Sequence, residues 1–170
     1  MVKWNDTDVP LGYLITFRTY GTWLAGDERG SIDRYHNIYG TPRVVSNVLR
    51  EQQHALKLKG EPFLLNGLAR RSVREAIREV CEYRKWNLYA VNVRVNHAHA
   101  VVDSTASSDK VLGDLKSYAT RKLRENKCWQ NSYSPWVDKG SKRKLWNEDH
   151  IAIAVDYVIN GQGDMLPDFD

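Results

Sequence analysis

The residues with the most pointed chemistry in this sequence are His97-Ala98-His99. They follow Val91, Val93 and Val95, which alternate with Asn92 and Arg94, so the pattern predicts a strand over 86–95. A turn at Asn96 then returns the chain as a second strand, His97 to Asp103. On a strand, residues i and i+2 share a face, with side chains about 7 Å apart. Two imidazoles so placed can converge on one cation, while Ala98 turns to the other face and packs under a helix. Two histidines leave a coordination sphere incomplete, so the pattern calls for a third ligand or for waters.

A second candidate is Tyr118, within Leu115-Lys-Ser-Tyr-Ala-Thr-Arg-Lys-Leu-Arg124. On a helical wheel it lies about 100° from the stripe Leu112, Leu115, Ala119 and Leu123. Its ring is expected at the rim of the core, with the hydroxyl toward solvent. A phenol has a pKa of about 10. Lys116, Arg121, Lys122 and Arg124 would favour the phenolate and would also hold phosphates. Tyr118 is therefore a candidate nucleophile.

Basic and aromatic residues are placed as a nucleic-acid binder would place them. Lys139, Lys142, Arg143 and Lys144 lie in a segment framed by Trp136 and Trp146. Cationic side chains neutralise phosphates, and an exposed Trp136 would offer unpaired bases a stacking surface. At least one of the two tryptophans is expected to anchor the loop instead. Arg70, Arg71 and Arg74 form a second cluster.

The elements that must position these groups follow from periodicity. Leu11 to Thr19 reads as a strand, with Tyr13, Ile15 and Phe17 on one face. The glycine-rich stretch 20–42 reads as a long loop, and 46–58 as a helix capped by Ser46. Ser72 and Glu75 form a capping box for a helix with Val73, Ala76, Ile77, Val80 and Cys81 on its inner face. Ser107 or Ser108 opens the Tyr118 helix, which runs to about residue 126. A loop is expected over 128–146. A last helix, about 149–160, points Ile151, Ala154, Val155 and Val158 inward and stops at Gly161. The acidic tail 163–170 is expected to be loose. Hairpin strands with helices mainly on one face make an α+β, ferredoxin or RRM-like antiparallel sheet, in one domain over 1–170.

Composition narrows the function classes. With 25 Lys and Arg against 21 Asp and Glu among 170 residues, the net charge of +4 permits a polyanionic partner without demanding one. Six Trp and nine Tyr against three Phe favour half-exposed aromatic sites over plain packing. No apolar run reaches membrane-span length, and the N-terminus lacks a signal-peptide profile. The two cysteines, Cys81 and Cys128, form no CxxC pair, so a thiolate zinc site and a disulfide framework are excluded and a cytoplasmic setting is expected. There is no phosphate-binding glycine loop, hence no nucleotide cofactor.

The His-small-His strand followed by a helical tyrosine resembles the single-tyrosine HUH transposases, in particular the REP-associated tyrosine transposases. The resemblance extends through Tyr13-Leu-Ile-Thr-Phe-Arg-Thr-Tyr-Gly-Thr-Trp-Leu24, Gly26-Asp-Glu-Arg-Gly30, Asn92-Val-Arg-Val-Asn-His97, Tyr118-Ala-Thr-Arg121, Leu145-Trp146 and Tyr157-Val158, and covers about 11–163. It implies that His97 and His99 hold Mg²⁺ or Mn²⁺. It implies that Tyr118 attacks single-stranded DNA at hairpin-bearing ends, leaving a 5′-phosphotyrosine and a 3′-OH, in a nucleoid-associated homodimer whose tyrosine helix serves either its own histidine pair or the partner's. Family members often carry Gln or Asn one turn after the tyrosine as a third ligand. Here that position is Lys122, which as an ammonium cannot ligate a cation. Asp103, continuing the histidine face, or Asp114, one turn before Tyr118, would then complete the site, or Lys122 would bind phosphate with Arg121 and Arg124. The alternative implied by Lys122 is a domesticated or catalytically weakened DNA-binding relative acting on palindromic repeats or as a repressor.

Overall fold

The computed structural model describes residues 9–22 and 60–167. The helix expected over 46–58 and most of the loop expected over 20–42 lie outside the described residues. The first strand, β1, spans Gly12–Arg18. Its alternation is apolar on both faces: Tyr13, Ile15 and Phe17 join one buried cluster and Leu14 another. A strand of this kind requires cover on both sides.

Helix α1 spans Gly67–Arg84 and buries Val73, Ala76, Ile77, Val80 and Cys81, the stripe expected of it. It starts earlier than its sequence signal. Asn66 is the cap, its side chain accepting from the Ala69 N–H at 2.9 Å. Ser72 lies inside the helix and donates to the Leu68 carbonyl at 2.8 Å, the alternative open to a helical serine. Strands β2 (Asn87–Val93) and β3 (His97–Asp103) form the expected hairpin, with Asn92 opposite His99 and Val93 opposite Ala98. Helix α2 spans Ser108–Glu125, capped by Ser107, and buries Val111, Leu112, Leu115, Ala119 and Leu123.

Strand β4, Ser141–Leu145, falls where a loop was expected. It pairs along β1 from Gly12–Leu145 to Thr16–Ser141. Its centre, Lys142-Arg143-Lys144, has no apolar alternation to read. An edge strand needs none, because charge keeps it from pairing with other chains. Helix α3 spans Glu148–Asn160, capped by Asn147 accepting from the His150 N–H at 2.9 Å.

The sheet order is β2-β3-β1-β4 with every pair antiparallel, the α+β ferredoxin-like arrangement. Helices α1 and α2 pack on the face carrying Tyr13, Ile15, Phe17, Ala98 and Ala100. Helix α3 lies on the opposite face, where Ala154 and Val158 meet Leu14, Ala90, Val101 and Leu145. Burying one aliphatic side chain is worth about 1.5–3 kcal/mol, so this small patch suffices to seat α3. The described part of the chain after α3, up to Pro167, is held by hydrogen bonds: Arg94 donates to the Asp164 carbonyl at 2.8 Å and Arg70 to the Pro167 carbonyl at 2.7 Å. No helix among the described residues is long and apolar enough to cross a membrane.

Candidate active site

Strand alternation decides which helix the histidines meet. Ala98, Ala100 and Val102 enter the cluster beneath α1 and α2. His97, His99 and Val101 therefore face the other way, toward α3. On β1 the register sets Thr16 opposite His99 and Arg18 opposite His97.

The two imidazoles stand 4.7 Å apart between centroids, with planes at 74°. His97 is half-buried, and His99 is only 3% exposed. Each is oriented through its Nδ1. Asn96 Oδ1 lies 2.6 Å from that of His97, and Thr16 Oγ1 2.7 Å from that of His99. Such partners fix the ring and direct the other nitrogen. Both Nε2 atoms turn to one point, Gln162 Oε1, at 3.0 Å from His99 and 3.5 Å from His97. The Gln162 amide is itself fixed, because its Nε2 donates to the Tyr157 carbonyl at 3.0 Å. The atom facing the imidazoles is thus an oxygen with lone pairs only. A His97 that donates Nδ1–H to Asn96 presents a lone pair at Nε2 as well.

With no cation bound, an imidazole Nε2–H can donate to Gln162 Oε1; with Nε2 unprotonated, the same three atoms are lone-pair donors close enough together to serve one cation. Two imidazole nitrogens and an amide oxygen are a donor set that could hold a divalent cation, with water in the remaining positions. Among the described residues there is no group of three or more His, Cys, Asp and Glu that could hold a metal; the set here depends on an amide.

Tyr157 on α3 completes the cluster. Its ring is half-buried, 5.3 Å from the His99 ring between centroids, at 69°. At Gly161 the chain turns tightly beneath it: a Cβ there would lie 2.6 Å from the Tyr157 carbonyl oxygen and 3.2 Å from its Cδ2. Glycine is required for that approach.

Tyr118 is not brought to the histidines. It lies on α2, on the face that Ala98 and not His97 or His99 looks toward, packed against the α1–α2 side of the core. Its neighbours are the Arg121 guanidinium, 4.4 Å from the ring, and Tyr83 at 6.5 Å. Asp114 is on the same far face, paired with Arg84 at 3.0 Å and Lys110 at 2.9 Å. Asp103 shares the histidine face but lies about 13 Å along the strand from His99, accepting from Asn87 and Tyr89. Neither carboxylate reaches the pair. Lys122 makes an ion pair with Glu79 at 2.7 Å, joining α1 to α2, and the hydrogen bond to Glu79 raises its pKa. Its place in the sequence therefore says nothing about the metal ligands.

The basic residues also divide. Arg124 holds the carbonyls of Asn131 and Ser132, Arg121 lies 3.8 Å from Glu125, and Lys142 is paired with Asp109. Lys144 is exposed beside Trp146, its Nζ 5.8 Å from the ring. Arg143 is opposite Leu14 in the β1–β4 register, so it shares the histidine face of the sheet. Trp136 is no stacking surface: it is 3% exposed, edge-on to Phe17 at 4.8 Å, and donates to Thr120 Oγ1 at 3.0 Å.

Three residues of this cluster carried no role in the sequence reading: Thr16, Tyr157 and Gln162. Tyr157 had a signal, since it sits beside Val158 on the inward edge of an amphipathic helix, within the Tyr157-Val158 pair that resembles the family. Gln162 had none, because it follows a helix stop in irregular chain.

Known proteins bear on this geometry as follows. The chain matches the family model described as Transposase IS200 like over residues 56–160. None of the curated proteins is similar to it. Among solved structures it is similar to a REP-associated tyrosine transposase bound to a REP hairpin, at 14% identity and a TM-score of 0.47, over 93% of this chain and 70% of that one. The family match runs from before α1 to the end of α3, over more than half of the chain, and takes in His97, His99, Tyr118 and Tyr157 but not Gln162; the chain belongs to the IS200-like transposases.

Proposed function

We propose that this chain cleaves and rejoins single-stranded DNA with Tyr157 as the nucleophile and His97, His99 and Gln162 as the ligands of a divalent cation. The observation that carries the reading is the gathering of these four side chains on one face of the sheet within one chain. Mg²⁺ or Mn²⁺ bound there would act as a Lewis acid on the scissile phosphate.

The chain's own residues do the rest. The Tyr157 Oη attacks phosphorus in line, forming the P–Oη bond as the P–O3′ bond breaks. The phenol proton is released and the departing O3′ takes one up. The products are a 5′-phosphotyrosine and a free 3′-OH, and attack by another strand's 3′-OH reverses the step. Bond energy is conserved in the tyrosyl ester, so no nucleotide cofactor is needed. Arg18 and Arg143, on the same sheet face, supply positive charge for the backbone of the incoming strand. DNA ends bearing hairpins are the proposed partner. Each protomer of a homodimer would carry its own tyrosine and histidines and would cut in cis. The binding-only alternative rested on Lys122, which the ion pair with Glu79 accounts for.

Trypsin separates the two tyrosines cleanly. Cleavage after Lys144 leaves Tyr157 as the one tyrosine in its peptide, and Tyr118 falls in the short peptide 117–121. Protein incubated with single-stranded DNA and Mn²⁺, then digested with nuclease and trypsin, should carry its nucleotide adduct on the Tyr157 peptide. An adduct on 117–121 would overturn the assignment.

A further inference from the structure

Gln162 is on neither a helix nor a strand. It lies in the irregular chain after α3, and such ends ordinarily fray. A ligand on a fraying segment binds weakly, because the segment must be ordered each time the ion enters. Here 161–167 is tied down at its middle and at its far end, at Asp164 and Pro167. Arg94, in the turn between β2 and β3, donates from Nη1 to the Asp164 carbonyl at 2.8 Å. Arg70, 4% exposed in the first turn of α1, donates from Nη2 to the Pro167 carbonyl at 2.7 Å and from Nη1 to the Leu65 carbonyl at 2.8 Å. Leu65 N–H in turn donates to the Val95 carbonyl at 2.7 Å, joining α1 to the same turn. Between Gln162 and Asp164, Gly163 takes φ +79°, a left-handed bend that lets the amide and the next carbonyl diverge.

We infer that Arg94 and Arg70 are positioning residues for the cation site: they hold 161–167 as a strap that keeps Gln162 Oε1 over His97 and His99. The inference rests on the reading of Gln162 as a ligand. Arg94 serves both halves of the site. It sits three residues before His97, its N–H donates to the His97 carbonyl at 2.7 Å, and its guanidinium closes the strap. Apparent metal affinity then equals the intrinsic affinity scaled by the fraction of molecules with the strap closed.

The test is Mn²⁺ titration, by calorimetry and by electron paramagnetic resonance, of the full chain and of Arg94→Ala, Arg94→Lys, Gln162→Ala and the Arg94→Ala/Gln162→Ala double variant. Hydrogen exchange of amides 162–166 is followed without metal. Arg94→Ala should weaken Mn²⁺ binding about tenfold, the lower end for groups that orient a ligand, and should lose protection in the strap. Arg94→Lys, which keeps a donor, should recover most of both. The double variant should bind no more weakly than Gln162→Ala alone, since the strap then has no ligand to present. Unchanged affinity in Arg94→Ala, with weakened binding in Gln162→Ala, would overturn the strap and leave the ligand assignment standing. Equal losses from Arg94→Ala with and without Gln162 would likewise overturn it. No loss in Gln162→Ala would remove both.

Discussion

The phenol ring of Tyr157 packs edge-on to the imidazole of His99, their centroids 5.3 Å apart. That contact joins the last helix to the central strand pair of the sheet, and it defines one chemical face. Everything on that face follows from alternation: Thr16 beside His99, Arg18 beside His97, and Val101 and Leu14 carrying α3. The opposite face holds α1, α2, Tyr118 and the ion pair of Lys122 with Glu79.

Thr16 orients His99 through the 2.7 Å contact between Oγ1 and Nδ1. Thr16→Val keeps the shape and the strand preference but removes that partner. Mn²⁺ affinity should fall about 10–100-fold, the usual effect of losing an outer partner of a ligating histidine. Stability should fall by only about 1 kcal/mol, the net worth of a hydrogen bond. Calorimetric titration and urea unfolding measure the two separately.

Arg143 and Lys142 are neighbours in sequence with opposite expected roles. Arg143 shares the histidine face, while Lys142 is paired with Asp109 at the start of α2. Arg143→Ala should weaken single-stranded DNA binding and lower the slope of log affinity against log salt by about 1. Lys142→Ala should change both less. Fluorescence anisotropy over a salt series reads this directly, and the reverse order would place the DNA on the other face.

Trp136 is a core residue, so its loss should be felt in folding. Trp136→Ala removes its packing on Phe17 and its donation to Thr120. A cost of about 3–5 kcal/mol is expected for a buried Trp, measured by urea denaturation. The variant's folded fraction should retain DNA affinity.

Burial pushes the Cys81 thiol from 9.0 up to about 12. The folded chain thus holds this proton more tightly than the unfolded chain does. Stability from this group is fully present below pH 9 and is lost as the pH rises from 9 toward 12. Unfolding midpoints across that window should fall less steeply in Cys81→Ala than in the parent. Native protein at pH 8 should leave Cys81 unmodified by a thiol reagent until urea is added.

Much of the fold was legible in the sequence because its signals are local. The alternation of Tyr13, Ile15 and Phe17, the hairpin around Asn96, the Ser107 cap and the stripe of Leu112, Leu115, Ala119 and Leu123 all appear as expected. The start of α1 was misplaced because Asn66 caps as well as Ser72 would and comes first. Strand β4 was hidden because an edge strand of Lys142, Arg143 and Lys144 carries no apolar code. The histidine pair is legible in the sequence, whereas the tyrosine that stands beside it in the fold, Tyr157, is not, and the reason is geometric. Ala98 faces the helices that pack on Ala100 and Val102, and α2 is one of them. Within one chain, alternation therefore keeps Tyr118 from the side of His97 and His99, however near it stands in sequence. Gln162 depends on how the chain leaves α3 and on where Arg94 and Arg70 hold it, which no local pattern encodes.

The identity of the nucleophile is the central claim, and two conservative variants test it. The full chain, Tyr157→Phe and Tyr118→Phe are each incubated with labelled single-stranded DNA and Mn²⁺, and protein–DNA adducts that survive SDS are counted. Tyr157→Phe should form none, while Tyr118→Phe should form them at close to the parent level. Adducts that persist in Tyr157→Phe and vanish in Tyr118→Phe would contradict the assignment.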